Sequence, residues 1–129
     1  MLRGRSGLEG YPAEEVEQWC ARNLFYQCLG AKGNDYDALR ERIEQLERHL
    51  DLPGNRAFYL SLPPAIYGPA IEGLGEAGLN ESPGWTRVVV EKPFGDDLAS
   101  ARELNDTVHQ HFDEDQVYRI DHYLDKETV

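Results

Sequence analysis

Arg87-Val88-Val89-Val90-Glu91-Lys92-Pro93-Phe94-Gly95 is the stretch that decides the fold. Three consecutive valines with no polar alternation predict a short strand buried on both faces, because β-branched side chains pack well on a pleated surface. Proline cannot donate to a sheet ladder and drives the residue before it out of helical geometry, so the strand stops at Lys92-Pro93. A long cation therefore stands where a buried strand ends. Gly95 supplies a turn, and Asp97 can cap a helix with apolar Leu98, Ala101, Leu104, Val108 and Phe112 at helical spacing. Strand, lysine at the tip, turn and capped helix make half of a βαβ unit. In open α/β sheets ligands bind just outside the carboxyl ends of the strands.

Working outward, 129 residues allow one domain with a real core, and 40% hydrophobic residues argue against wholesale disorder. A net charge of −11 disfavours a nucleic-acid partner and an anionic membrane surface. Cys20 and Cys28 match neither a CxxC pair nor a zinc site, so both are read as small core residues in a reducing compartment. No metal site is expected. Without a membrane-length apolar run or a secretory leader, the expected location is cytoplasmic.

Residues 1–10 are glycine-rich and aperiodic and read as a flexible tail, leaving residues 11–129 as the domain. Pro12 can open a short helix with Val16, Trp19 and Cys20 on one face. The run at 24–29 reads as a strand. Leu39, Ile43, Leu46 and Leu50 mark the best amphipathic helix, stopped by Pro53-Gly54-Asn55. The run at 57–62 reads as a second buried strand ended by Pro63-Pro64. Pro64 opens a helix through Ile66, Tyr67, Ala70 and Ile71, which Pro69 should kink. Gly73, Gly75 and Gly78 match G-x-G-x-x-G, but a helix precedes them where a phosphate loop needs a strand, so a helix end is the expected reading. A last strand at 116–120 delivers Asp121-His122-Tyr123-Leu124-Asp125-Lys126. Alternating helices and strands imply an α/β fold with a parallel sheet flanked by helices. No strand opens the chain and nothing follows its last polar cluster, so a piece of a larger protein is expected.

Lys92 and Lys126 are two of only three lysines. An ammonium suits a phosphate or sugar hydroxyl, and a solvated surface lysine is the competing reading. Asp121, His122 and Tyr123 follow a strand end, where an imidazole can donate to a phosphate or act as a base beside a carboxylate. A solvated loop or a capped helix start accounts for them equally well. His109 and His111, two apart on a helix, face different sides, make no metal pair and read as ordinary helix-surface residues.

Glu91-Lys92-Pro93-Phe94-Gly95, the run from Arg119 to Glu127 and the Leu60-Ser61-Leu62-Pro63-Pro64 segment together resemble the glucose-6-phosphate dehydrogenase family. The resemblance runs from about Arg22 to Val129. It implies a partial Rossmann-like sheet lacking the first nucleotide-binding βα unit, and an NADP-linked (or NAD-linked) oxidation of glucose 6-phosphate at C1. It implies that Lys92 lies between cofactor and sugar, and that His122, Tyr123 and Lys126 hold the sugar phosphate. It also implies that Asp121 pairs with the catalytic histidine and that Tyr67 lies near the cofactor. The full-length protein is expected to be a homo-oligomer.

Two elements of the family pattern are absent: the opening glycine-rich cofactor loop and the region bearing the catalytic histidine. The isolated chain is therefore expected to be inactive. Asp125 stands where the family has glycine, and a carboxylate there should repel a phosphate. The rival reading is a non-catalytic α/β assembly or regulatory module derived from this fold. A different NADP-linked sugar oxidoreductase would share the Glu-Lys-Pro element but not the second signature.

Overall fold

A computed structural model of the chain describes residues 10–92 and 97–120. Helices α1 (Ala13–Asn23) and α2 (Tyr36–His49) come first. Strand β1 (Arg56–Leu60), helix α3 (Pro64–Glu76), strand β2 (Thr86–Glu91) and helix α4 (Leu98–His111) follow. A 3-10 turn at Glu114–Gln116 leads into strand β3 (Val117–Ile120). The three strands pair in the order β1-β2-β3, all parallel, with Phe58 opposite Val88 and Val88 opposite Val117.

Both crossovers step the same way across the sheet. Right-handed connections of that kind carry their helices to one face, and α3 and α4 do pack on each other there. Val88 and Val90 are 0% and 2% exposed beneath Tyr67, Ile71, Leu74, Leu104, Val108 and Phe112. Asp97 caps α4 through the Ser100 amide at 2.8 Å, and Asp35 caps α2 through the Ala38 amide at 3.0 Å. α2 adds Tyr36, Leu39 and Ile43 to the edge of the core. An Arg56–Glu47 ion pair fastens α2 to β1 through two nitrogens at 2.7 and 2.8 Å.

The expectation of a sheet buried on both faces is corrected here. Tyr59, Trp85 and Tyr118 on the second face are 53%, 44% and 46% exposed, and Val89 is only half-buried. Two same-handed crossovers cover one face, and no helix among the described residues lies over the other. Arg87 bridges part of that surface, 4.3 Å from the Trp85 ring centre and 5.6 Å from that of Tyr118.

Residues 24–29 form no strand. An apolar run becomes a strand only where a neighbour offers backbone hydrogen bonds, and no described strand pairs with this one; Phe25 instead lines a cleft of about 570 Å³ with Ala57 and Phe58 of β1. Leu24, Phe25 and Tyr26 are exposed as a result. The cysteines are not core residues either: Cys20 is half-buried and Cys28 exposed, both as free thiols. β1 ends at Leu60 rather than at 62, and α3 continues through Pro69 without interruption. The carbonyl that this proline leaves without a donor, that of Ala65, belongs to an exposed residue, so water can satisfy it.

The G-x-G-x-x-G match is a helix end, and its glycines serve packing. A Cβ on Gly73 would lie 2.3 Å from the Tyr36 ring, and one on Gly75 would lie 2.1 Å from His111 Nδ1. Gly78 has φ +77 and closes α3 in a Schellman turn, with Leu79 N–H on the Leu74 carbonyl (2.8 Å) and Gly78 N–H on that of Gly75 (3.0 Å). We expect Gly73→Ala to cost on the order of 1–3 kcal/mol by overpacking, and Gly78→Ala about 1 kcal/mol by left-handed strain. Urea denaturation checks both; a Gly73→Ala chain as stable as its parent would show that the Tyr36 ring is not seated there.

Candidate functional site

The carboxyl ends of β1, β2 and β3 meet at one edge of the sheet because all three strands run the same way. Leu60, Glu91-Lys92 and Ile120 form this edge. The Lys92 N–H donates to the Ile120 carbonyl at 2.9 Å, so the residue after β2 stays tied to the end of β3. On the other side, Tyr67 of α3 sends its hydroxyl between β1 and β2. This oxygen lies 3.0 Å from the Leu60 carbonyl and 3.2 Å from that of Glu91, and it accepts the Glu91 N–H at 3.2 Å. Only 2% of Tyr67 is exposed.

Lys92 is exposed at this edge. The Glu91 carboxylate turns to the uncovered face and accepts a hydrogen bond from the Tyr59 hydroxyl, which holds the Tyr59 phenol above its ordinary pKa. Of the residues singled out from sequence, Tyr67 and Lys92 are brought together through the Glu91–Lys92 backbone. Asp121, His122, Tyr123 and Lys126 lie outside the described residues, as do Pro93 and Gly95. Ile120, joined covalently to Asp121, is the residue whose carbonyl receives the Lys92 N–H.

A second group stands just behind the edge. Arg119 of β3 reaches Glu114 at 2.7 Å and Asn105 of α4 at 3.1 Å, and Glu114 also receives His109. These bonds tie β3 to α4 and to the turn between them. Hydrogen bonds from Arg119 first and His109 second hold the Glu114 carboxyl down at about 2, against an ordinary value of 4.5. Reading His109 as an ordinary helix-surface residue missed this group. The signal available was an acid five residues on, beyond the helix end, where chain reversal can bring it back to the ring.

Among the described residues no group of three or more His, Cys, Asp or Glu could hold a metal ion. No helix among them is long and apolar enough to cross a membrane. For a dinucleotide the test is the phosphate turn. The only G-x-G-x-x-G is filled by Tyr36 and His111, so it cannot admit a pyrophosphate. The described residues offer a dinucleotide the carboxyl edge of a parallel sheet and a lysine, but no phosphate loop.

A parallel sheet with its helical crossovers and a charged residue at the central strand's carboxyl end defines part of a nucleotide-binding α/β domain. Residues 5–129 match the family model described as glucose-6-phosphate dehydrogenase, NAD binding domain. The chain belongs to that family. It is 48% identical over 123 residues to glucose-6-phosphate 1-dehydrogenase of Aggregatibacter actinomycetemcomitans, covering 94% of this chain and 25% of that protein. It is 46% identical to the Bacillus subtilis enzyme of that name, covering 73% of this chain and 19% of the relative. A solved glucose-6-phosphate dehydrogenase, in complex with its substrate glucose-6-phosphate, superposes with a TM-score of 0.61 at 44% identity. That match covers 70% of this chain and 19% of the other. The chain thus spans about a quarter or less of the length of these relatives.

The depressed Glu114 pKa gives a signed expectation. Its contribution to stability is complete above about pH 4.5 and is lost as pH falls through the folded value of about 2. Glu114→Gln should flatten the acid limb of a stability-against-pH curve in that window. An unaltered acid limb would mean that the Arg119–Glu114 pairing contributes nothing in solution.

Proposed function

We propose that this chain supplies the sugar-phosphate side, and part of the cofactor side, of a glucose-6-phosphate dehydrogenase active centre. In the complete protein, glucose 6-phosphate is oxidised at C1 to the lactone with NADP as hydride acceptor, in the cytoplasm and within a homo-oligomer. The observation that supports this reading best is the edge itself: Lys92 stands at the carboxyl end of the central strand, hydrogen-bonded through its backbone to the residue that precedes the Asp121-His122-Tyr123 run.

The roles follow from the chemistry of each group. Lys92 offers a movable ammonium to a sugar hydroxyl or phosphate, between substrate and cofactor. His122, Tyr123 and Lys126 present donors to the phosphate oxygens. Asp121 orients and stabilises an imidazolium supplied from outside this chain. Tyr67 belongs to the cofactor end of the crevice. A solved relative whose title names glucose-6-phosphate as its substrate supports the choice of ligand. The isolated chain is expected to bind without turnover, the catalytic histidine coming from outside it and the Gly73, Gly75 and Gly78 motif forming no phosphate loop.

Calorimetric titration of the chain with glucose 6-phosphate tests the reading. Binding should be measurable, and Lys92→Ala should weaken it about tenfold, the loss of one charge-assisted contact. No dehydrogenase turnover should accompany it when NADP is added. Heat from NADP alone, with none from the sugar phosphate, would contradict the assignment. Asp125→Gly should tighten sugar-phosphate binding by removing a like charge, and unchanged or weaker affinity would count against a phosphate beside residue 125.

A further inference from the structure

β1 leaves the sheet one residue too soon for the neighbour that matters. Its last registered pair is Leu60 with Val90, after which the chain turns away through Leu62-Pro63-Pro64, and neither proline has an N–H to give. A continued ladder would have joined the Glu91 N–H to the Leu60 carbonyl directly. The Tyr67 hydroxyl bridges the two instead, accepting the Glu91 N–H at 3.2 Å and donating to the Leu60 carbonyl at 3.0 Å. The backbone of Glu91 and Lys92 is consequently held from both sides, the Glu91 N–H by Tyr67 and the Lys92 N–H by the Ile120 carbonyl at 2.9 Å.

We infer that Tyr67 is a positioning residue for Lys92: its buried hydroxyl completes the β1–β2 ladder and fixes the peptide from which the lysine side chain departs. The inference rests on the reading of Lys92 as a sugar-phosphate contact given above. The ring is anchored in the buried cluster with Ile71 and Val90, so the hydroxyl is placed by packing rather than by a mobile side chain. A lysine has a long flexible stem, and fixing its Cα and Cα–Cβ direction narrows the volume its ammonium searches. Small displacements at such a group have large effects on ligand alignment. Tyr67 thus serves the site through the Glu91–Lys92 backbone.

Tyr67→Phe keeps the ring and removes the oxygen. In amide hydrogen exchange on the 129-residue chain, Glu91 should exchange about tenfold faster while Val88 and Val90 keep their protection. A uniform rise across the sheet, or no change at Glu91, would overturn the inference. In titrations with glucose 6-phosphate, Tyr67→Phe should weaken binding about fivefold with Lys92 present and less than twofold in a Lys92→Ala background. Equal weakening in both backgrounds would mark Tyr67 as merely structural and would also overturn it. A parent chain that takes up no sugar phosphate would end the functional reading of Lys92, and the exchange pattern alone would then decide whether Tyr67 holds the peptide. Should Tyr67→Phe fail to fold, the unmodified chain decides. A slowly exchanging Tyr67 hydroxyl proton with a nuclear Overhauser contact to the Glu91 amide supports the clamp, and a rapidly exchanging one refutes it.

Discussion

The central strand β2 is hydrogen-bonded to a parallel neighbour on each side, and that constraint decides where chemistry can happen. Parallel strands send all their carboxyl ends to one edge, and same-handed crossovers put both connecting helices on one face. Lys92 therefore emerges between the ends of β1 and β3 whatever its own side chain prefers. The ladder also governs the backbone there. Its last two residues are held by Ile120 on one side and, because β1 ends early, by the Tyr67 hydroxyl on the other. A site built this way takes its rigidity from the core, since Tyr67 is itself part of it.

The same core explains why a dinucleotide motif in the letters is not one in space. Gly73 and Gly75 are small because α3 must come close to Tyr36 and His111, and Gly78 is glycine because the helix ends in a left-handed residue. Three glycines at the phosphate-loop spacing thus satisfy three packing and turn requirements. A phosphate loop needs exposed N–H groups at a helix start, whereas these lie at a helix end.

Much of this was legible in the sequence. Val88 to Val90, the Lys92-Pro93 stop and the Asp97 cap gave β2, its end and α4, because β-branching, a missing N–H and capping act locally. The two-faced burial did not follow. A continuous apolar run reports that a strand suits a covered sheet, and whether both faces are covered depends on other elements. Residues 24–29 failed as a strand for the same reason. No described strand pairs with that run, and an apolar run without a partner strand has no ladder to join. The Arg119–Glu114–His109 group left only a faint signal, an acid five residues after His109, because it depends on the turn after α4 folding back. Tyr67 and Lys92 could be named from sequence, but the hydroxyl-to-peptide contact between them rests on where β1 stops.

Chemical-shift mapping of the labelled chain during titration with glucose 6-phosphate tests the central claim most directly. Lys92, Ile120 and the residues from 121 to 126 should shift together, with one saturation curve, while Trp85, Arg87 and Gln116 at the opposite end of the strands stay still. Shifts concentrated at that opposite end, or scattered over both faces of the sheet, would contradict it.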